Sequence, residues 1–138
     1  MFLPEMILKE EILPMLVKAC PSFNNKWQEH KQEYNDEEDF LPYIALGDFA
    51  RHLIELHQQN SISEFEEVFE VIEKLHNEGD GFTRVAATAG LLESLQNIAG
   101  ANADDFVKYL KPESLKWWNE LNKFWDGRVR YLGQTFNK

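Results

Sequence analysis

Residues able to do chemistry occur in a few places along the chain, and the first is HNEGDGFTRVAA, residues 76–87. Its Asp-Gly pair between two helical patterns invites comparison with a calcium loop. With Gly81 at the sixth loop position, Asp80 takes the fifth and Glu78 the third, but His76 falls on the first and Ala87 on the twelfth. The bidentate carboxylate that completes an EF-hand is missing. A helix-to-helix turn whose glycines tolerate positive φ explains the same residues.

Glu73 and His76 form one Glu-x-x-His pair of the kind that binds iron in helical carboxylate proteins, but no second pair accompanies it. His76 lies on the apolar side of its helix near the C-terminal end, where a histidine bonds free carbonyls. Asp48, His52 and Glu55 share one helix face at metal-compatible spacing, with Arg51 among them, so a solvated face accounts for them as well. His52 and His57 are five apart and point in different directions. Cys20 has no second cysteine to pair with and reads as a small buried hydrophobe near a helix end. The sequence contains no Gly-rich phosphate loop, no G-x-S-x-G elbow and no cysteine beside an obvious base. An enzyme is therefore disfavoured, and no cofactor or metal is expected.

The elements that must position these residues are helical nearly throughout, since apolar residues recur at helical spacing and strand alternation is absent. A first helix is predicted from Pro4 to about Ala19, kinked at Pro14 and ended by Pro21. An amphipathic segment around NNKWQEHKQEY and the acidic run NDEEDF follow. PYIALGDFARHLIELHQQN places Leu46, Phe49, Ala50, Leu53, Ile54 and Leu56 on one face. Ser63, with Glu66 three residues on, predicts a capped helix start, and Phe65, Val68, Phe69, Ile72 and Leu75 form that helix's apolar stripe.

In FTRVAATAGLLESLQNIAG the stripe is Val85, Ala89, Leu92 and Leu95, and the small residues Ala86, Ala87, Ala89 and Gly90 predict a central helix approached closely by its neighbours. Asn102 is placed to cap a short helix through Leu110, and ESLKWWNELNKFW forms the last one, with Trp117, Trp118, Phe124 and Trp125 packing mainly into the core. The expected fold is all-α, a single domain over residues 1–138 of about six or seven helices in antiparallel pairs, as an irregular bundle or short array.

A chain of 138 residues that is 43% hydrophobic can bury one core. No apolar run is long enough to cross a bilayer and no secretory leader is recognisable, so a cytoplasmic protein is expected. Charge is distributed unevenly. Residues 33–80 hold fourteen Asp or Glu against two Lys or Arg, whereas the flanking segments are close to balanced, so the net −10 resides in the middle. Such a field repels nucleic acid and anionic membrane and attracts a cationic partner, although acidity also serves solubility.

The blocks FLPYIALGDFARHLIEL, EGDGFTRVAATAGLLESLQN and YLKPESLKWWNELNKFW, within residues 40–126, resemble an uncharacterised family of small acidic all-helical bacterial proteins. That family is similar in size, acidity and build to the immunity proteins that neutralise polymorphic toxins. The resemblance implies a stoichiometric inhibitor of a basic toxin domain. Asp36, Glu37, Glu38, Asp39, Glu66, Glu67 and Glu70 would then steer association with the basic partner, and an exposed aromatic would add affinity. Two other readings remain open: a general helical scaffold, with a homodimer as one form of it, and a metal-dependent enzyme built on Asp48, His52, Glu55, Glu73 and His76.

Overall fold

The computed structural model describes residues 5–33 and 41–125, and among them the architecture is all-α. Helix α1 spans Lys9–Ala19, α2 Asn24–Glu33, α3 Leu41–Gln58 and α4 Phe65–Glu78. A continuous helical rod then runs through α5 (Gly81–Val85), a π segment (Ala86–Leu92) and α6 (Glu93–Ala99). A 3-10 stretch over Gly100–Tyr109 leads to α7, Pro112–Trp125. The rod is central: α3 packs along its π segment and α6, while α4 and α7 touch the π segment from their own positions. Helix α1 lies against α4 and α3. One contiguous apolar core results, with Leu16, Phe23, Phe49, Leu53, Phe69, Ile72, Leu92, Phe106 and Trp118 at its centre.

Helix α1 begins at Lys9, later than Pro4, which lies outside the described residues. Residues ahead of it are extended because Ile7 is pinned to the α4–α5 turn: its N–H donates to the Glu78 carbonyl at 2.9 Å and its carbonyl accepts from Asp80 N–H at 3.0 Å. Pro14 is accommodated inside α1. The Glu10 carbonyl that loses its donor lies on an exposed stretch, where water can satisfy it.

The α3 and α4 stripes fall as the periodicity predicts. Leu46, Phe49, Ala50 and Leu53 are buried from α3, with Ile54 and Leu56 of the predicted face only half-buried, and Phe65, Val68, Phe69, Ile72 and Leu75 are buried from α4. The α4 start differs from the predicted one: the helix begins at Phe65 after Glu64, with no side-chain cap, because the Glu64 carboxylate is engaged elsewhere. The rod's stripe also differs. Leu92 and Leu95 are buried, but Val85 is 55% exposed and Ala86, Ala87 and Leu91 go inward instead. The cause is the π segment, whose wider turn resets which residues face the core.

Small residues let α3 approach the rod, as expected. A Cβ on Gly90 would lie 2.9 Å from Leu46 Cδ1. Neither glycine of the α4–α5 turn has the positive φ predicted, and only Gly79 is needed there. Gly79 has φ −76°, and its need is spatial, since a Cβ there would sit 2.4 Å from the Leu75 carbonyl oxygen and 2.6 Å from Thr83 Cγ2.

Candidate functional site

Polar side chains with chemical potential gather at two nodes, and the first joins α1, α3 and the entry to α4. Cys20 ends α1, its N–H bonded back to the Leu16 carbonyl, and Pro21 turns the chain so that Ser22 follows on a single 3-10 turn. His52 comes from the middle of α3 and Glu64 from the residue before α4. They meet around the Ser22 hydroxyl, which lies 2.5 Å from Glu64 Oε1 and 2.7 Å from His52 Nε2. The Cys20 thiol donates to Glu64 Oε1 at 3.3 Å, and the Ser22 N–H donates to Oε2 at 3.1 Å. Phe23 supports the imidazole from the side, with ring centroids 5.5 Å apart.

Proton positions follow from this geometry. The hydroxyl has one proton, given to the carboxylate, so His52 Nε2 must carry a hydrogen and donate to Ser22 Oγ. That is the reverse of an activated serine, in which the imidazole accepts the hydroxyl proton. Burial, reinforced by Glu64, pushes the Cys20 thiol up to about 12, so it is no thiolate nucleophile. Burial lowers His52 below the ordinary histidine range. Burial opposes the charge on Glu64, but hydrogen bonds from Ser22 and Cys20 prevail and hold its carboxyl below the usual range.

The second node joins α4, the π segment and α7. Glu73 leaves α4 to cap α7: its carboxylate accepts from Glu113 N–H and Ser114 N–H, each at 2.9 Å, and from the Ser114 hydroxyl at 2.8 Å. Burial resists the charge, yet these donors, joined by the Asn77 side chain, keep Glu73 below the ordinary carboxylate range. His76 is buried beside it. Its Nδ1 donates to the Ile72 carbonyl at 2.9 Å, which leaves Nε2 to accept from the Thr88 hydroxyl at 3.0 Å. Burial lowers His76 and keeps it neutral. The carbonyl partner is the role predicted for His76, whereas Glu73 acts as a cap on a helix forty residues away, which no local spacing announces.

The remaining sequence candidates separate. Asp48 pairs with His30 at 2.6 Å and Arg51 at 2.8 Å, Glu55 is exposed, and His57 packs tilted against Phe106 and edge-on to Tyr109. Asp48, His52, Glu55, Glu73 and His76 therefore do not share a centre. Asp80 caps α5 by accepting from Thr83 N–H at 2.9 Å, which commits the carboxylate of the supposed calcium loop.

Glu66, Glu67 and Glu70 are exposed on the outer face of α4, while Asp36, Glu37, Glu38 and Asp39 lie outside the described residues. Lysines flank that ridge: Lys18 and Lys74 beside Glu67 and Glu70 in one groove, Lys108 and Lys111 beside Glu66 in another. Of the aromatic cluster, Trp118 is buried, Trp117 and Phe124 are half-buried and Trp125 is exposed. Among the described residues no helix is long and apolar enough to cross a membrane.

The convergence of Cys20, Ser22, His52 and Glu64 was missed by sequence reasoning, because 44 positions separate its ends and each residue has an ordinary local role. No curated protein and no solved structure matches the chain. A family model does: residues 13–126 match the one described as a domain of unknown function, DUF7674, and the chain belongs to that family.

Proposed function

We propose that the chain is a stoichiometric protein-binding module, an immunity-type inhibitor that docks a basic toxin domain in the bacterial cytoplasm. The supporting observation is the α4 ridge: Glu66, Glu67 and Glu70 face solvent while Phe65, Val68, Phe69 and Ile72 fix the opposite side of the same helix in the core. A rigid helix presenting three carboxylates within two turns can pair with cations at matching spacing. The flanking lysines offset part of this charge, Lys111 pairing with Glu70 at 3.9 Å, and a more cationic partner would compete with them for the ridge.

The test is co-purification from the native host, followed by association kinetics with the captured partner. Steering by the ridge predicts association that slows with added salt and slows about tenfold or more in the triple variant E66K/E67K/E70K. Kinetics unchanged by the reversal would remove the ridge from the mechanism.

A second reading has its own observation. Val85, exposed beside Ala89 and Trp117, lines a groove of about 470 Å³ between the rod and α7. A helical interaction domain or homodimer would bury that face, with association insensitive to salt and abolished by V85E.

A further inference from the structure

Cys20, His52 and Glu64 offer a thiol sulfur, an imidazole nitrogen and a carboxylate oxygen that all lie within 4.8 Å of one another. We propose that these three side chains form a binding site for a zinc-like divalent transition-metal cation. Sulfur, nitrogen and oxygen donors in one set suit a borderline-soft ion, whereas calcium and magnesium take oxygen donors.

The Ser22 hydroxyl already occupies the middle of the set, at 2.5 Å from the carboxylate, 2.7 Å from the imidazole and 3.5 Å from the sulfur. A cation taking that central place would draw the donors in to zinc–ligand distances of about 2.0–2.3 Å. Ser22 is exposed on its short turn, so rotation of its side chain vacates the centre and leaves a solvent-facing fourth position for the hydroxyl or a water. On binding, the Cys20 thiol releases its proton to solvent and His52 moves its proton from Nε2 to Nδ1. The thiolate and the Glu64 carboxylate together then balance the two positive charges of the ion.

The ligands come from three separate elements, and two of them are already oriented. The Ser22 N–H fixes Glu64 through Oε2, leaving Oε1 directed at the centre, and Phe23 supports the His52 ring. The bland alternative is a hydrogen-bonded tie that holds the α1–α2 turn against α3 and α4 with no ion involved. The two differ in what added metal does. The proposal is independent of the α4 ridge and stands or falls separately from it.

The experiment uses the full chain, purified without a metal-affinity tag and stripped with a chelator, then titrated with Co²⁺ as a spectroscopic probe and with Zn²⁺. The expected result is one equivalent of cobalt giving a thiolate-to-metal charge-transfer band, which zinc displaces and magnesium does not. C20S should lose the band, and H52A and E64Q should each weaken binding by at least about tenfold. Cys20 is fully buried, so the C20S chain is checked by circular dichroism; if it fails to fold, the half-exposed His52 decides the question through H52A. Absence of the band in the wild-type chain, or zinc affinity unchanged in H52A and E64Q, overturns the proposal.

Discussion

Replacing Glu73 should unfasten α7 without touching the core. Its carboxylate accepts three hydrogen bonds at 2.8–2.9 Å from the first turn of that helix, so Glu73→Ala removes a cap, a charge at the positive end of the dipole and the acceptor of a buried hydroxyl. The cap contributes about 1 kcal/mol and the charge about 0.5 kcal/mol at a partly exposed site. The Ser114 hydroxyl cannot turn to His76 Nδ1 instead, because that nitrogen already donates to Ile72, so stranding it costs about 1–2 kcal/mol.

The sum is about 3 kcal/mol for E73A, or a fall in Tm of roughly 10 °C for a chain of this size. E73Q, which keeps one acceptor, should lose about half of that. Urea unfolding gives the free energies, and a double-mutant cycle with S114A should show coupling of about 1 kcal/mol. The sign with pH is fixed. Glu73 is depressed in the folded chain, so its contribution is complete above the ordinary carboxylate range and is lost as pH falls through the folded-state value. The gap between wild type and E73Q should therefore be widest near neutrality and close in acid. An E73A chain within about 0.5 kcal/mol of wild type, or a gap that does not change with pH, would refute the capping argument.

Other consequences are more quickly checked. His76 is held neutral, so wild-type stability should begin to fall as pH drops below the ordinary histidine range, and that early loss should be reduced in H76Q, as read by melting temperature against pH. Gly79→Ala places a Cβ against the Leu75 carbonyl and Thr83, and should cost about 2–3 kcal/mol, whereas Gly81→Ala meets nothing within 4 Å and should be neutral or stabilising by up to about 1 kcal/mol. In the metal-free chain Cys20 should resist alkylation at neutral pH and react at the ordinary thiol rate once unfolded in urea, measured by mass spectrometry.

Much of this fold was legible because burial follows helical spacing. The stripes of α3 and α4 emerge from the positions of Phe49, Leu53, Phe65 and Ile72, and Trp118 with Leu121 marks the inner face of α7. Other features were opaque for physical reasons. The π segment moves Val85 outward, and no residue type announces such a turn. Glu64 reads in sequence as one more carboxylate on an acidic helix, yet it faces Cys20 and Ser22; Glu73 reads as half of an iron motif, yet it caps α7. In both cases the deciding partner is a backbone N–H or hydroxyl brought in by tertiary packing. Gly79 is a turn residue, as its neighbours in sequence suggest, but lack of space rather than backbone handedness demands it. The ridge of Glu66, Glu67 and Glu70 could be placed because alternation with buried apolar residues determines which side of α4 they occupy.

The wide turn at Ala86–Leu92 makes residue count in that segment an angular setting. Removing one residue there would let the segment close into an ordinary α-helix, whose tighter winding takes up the deletion and leaves the downstream facing nearly unchanged, whereas adding one would rotate everything downstream by about 100°. Leu95 and Gln96 would swing away from their seats, and with them the bonds from the Gln96 amide to the Trp118 carbonyl and Asn122 that hold α7. Chains of this kind should exchange side chains in the segment, or shorten it, more readily than they lengthen it.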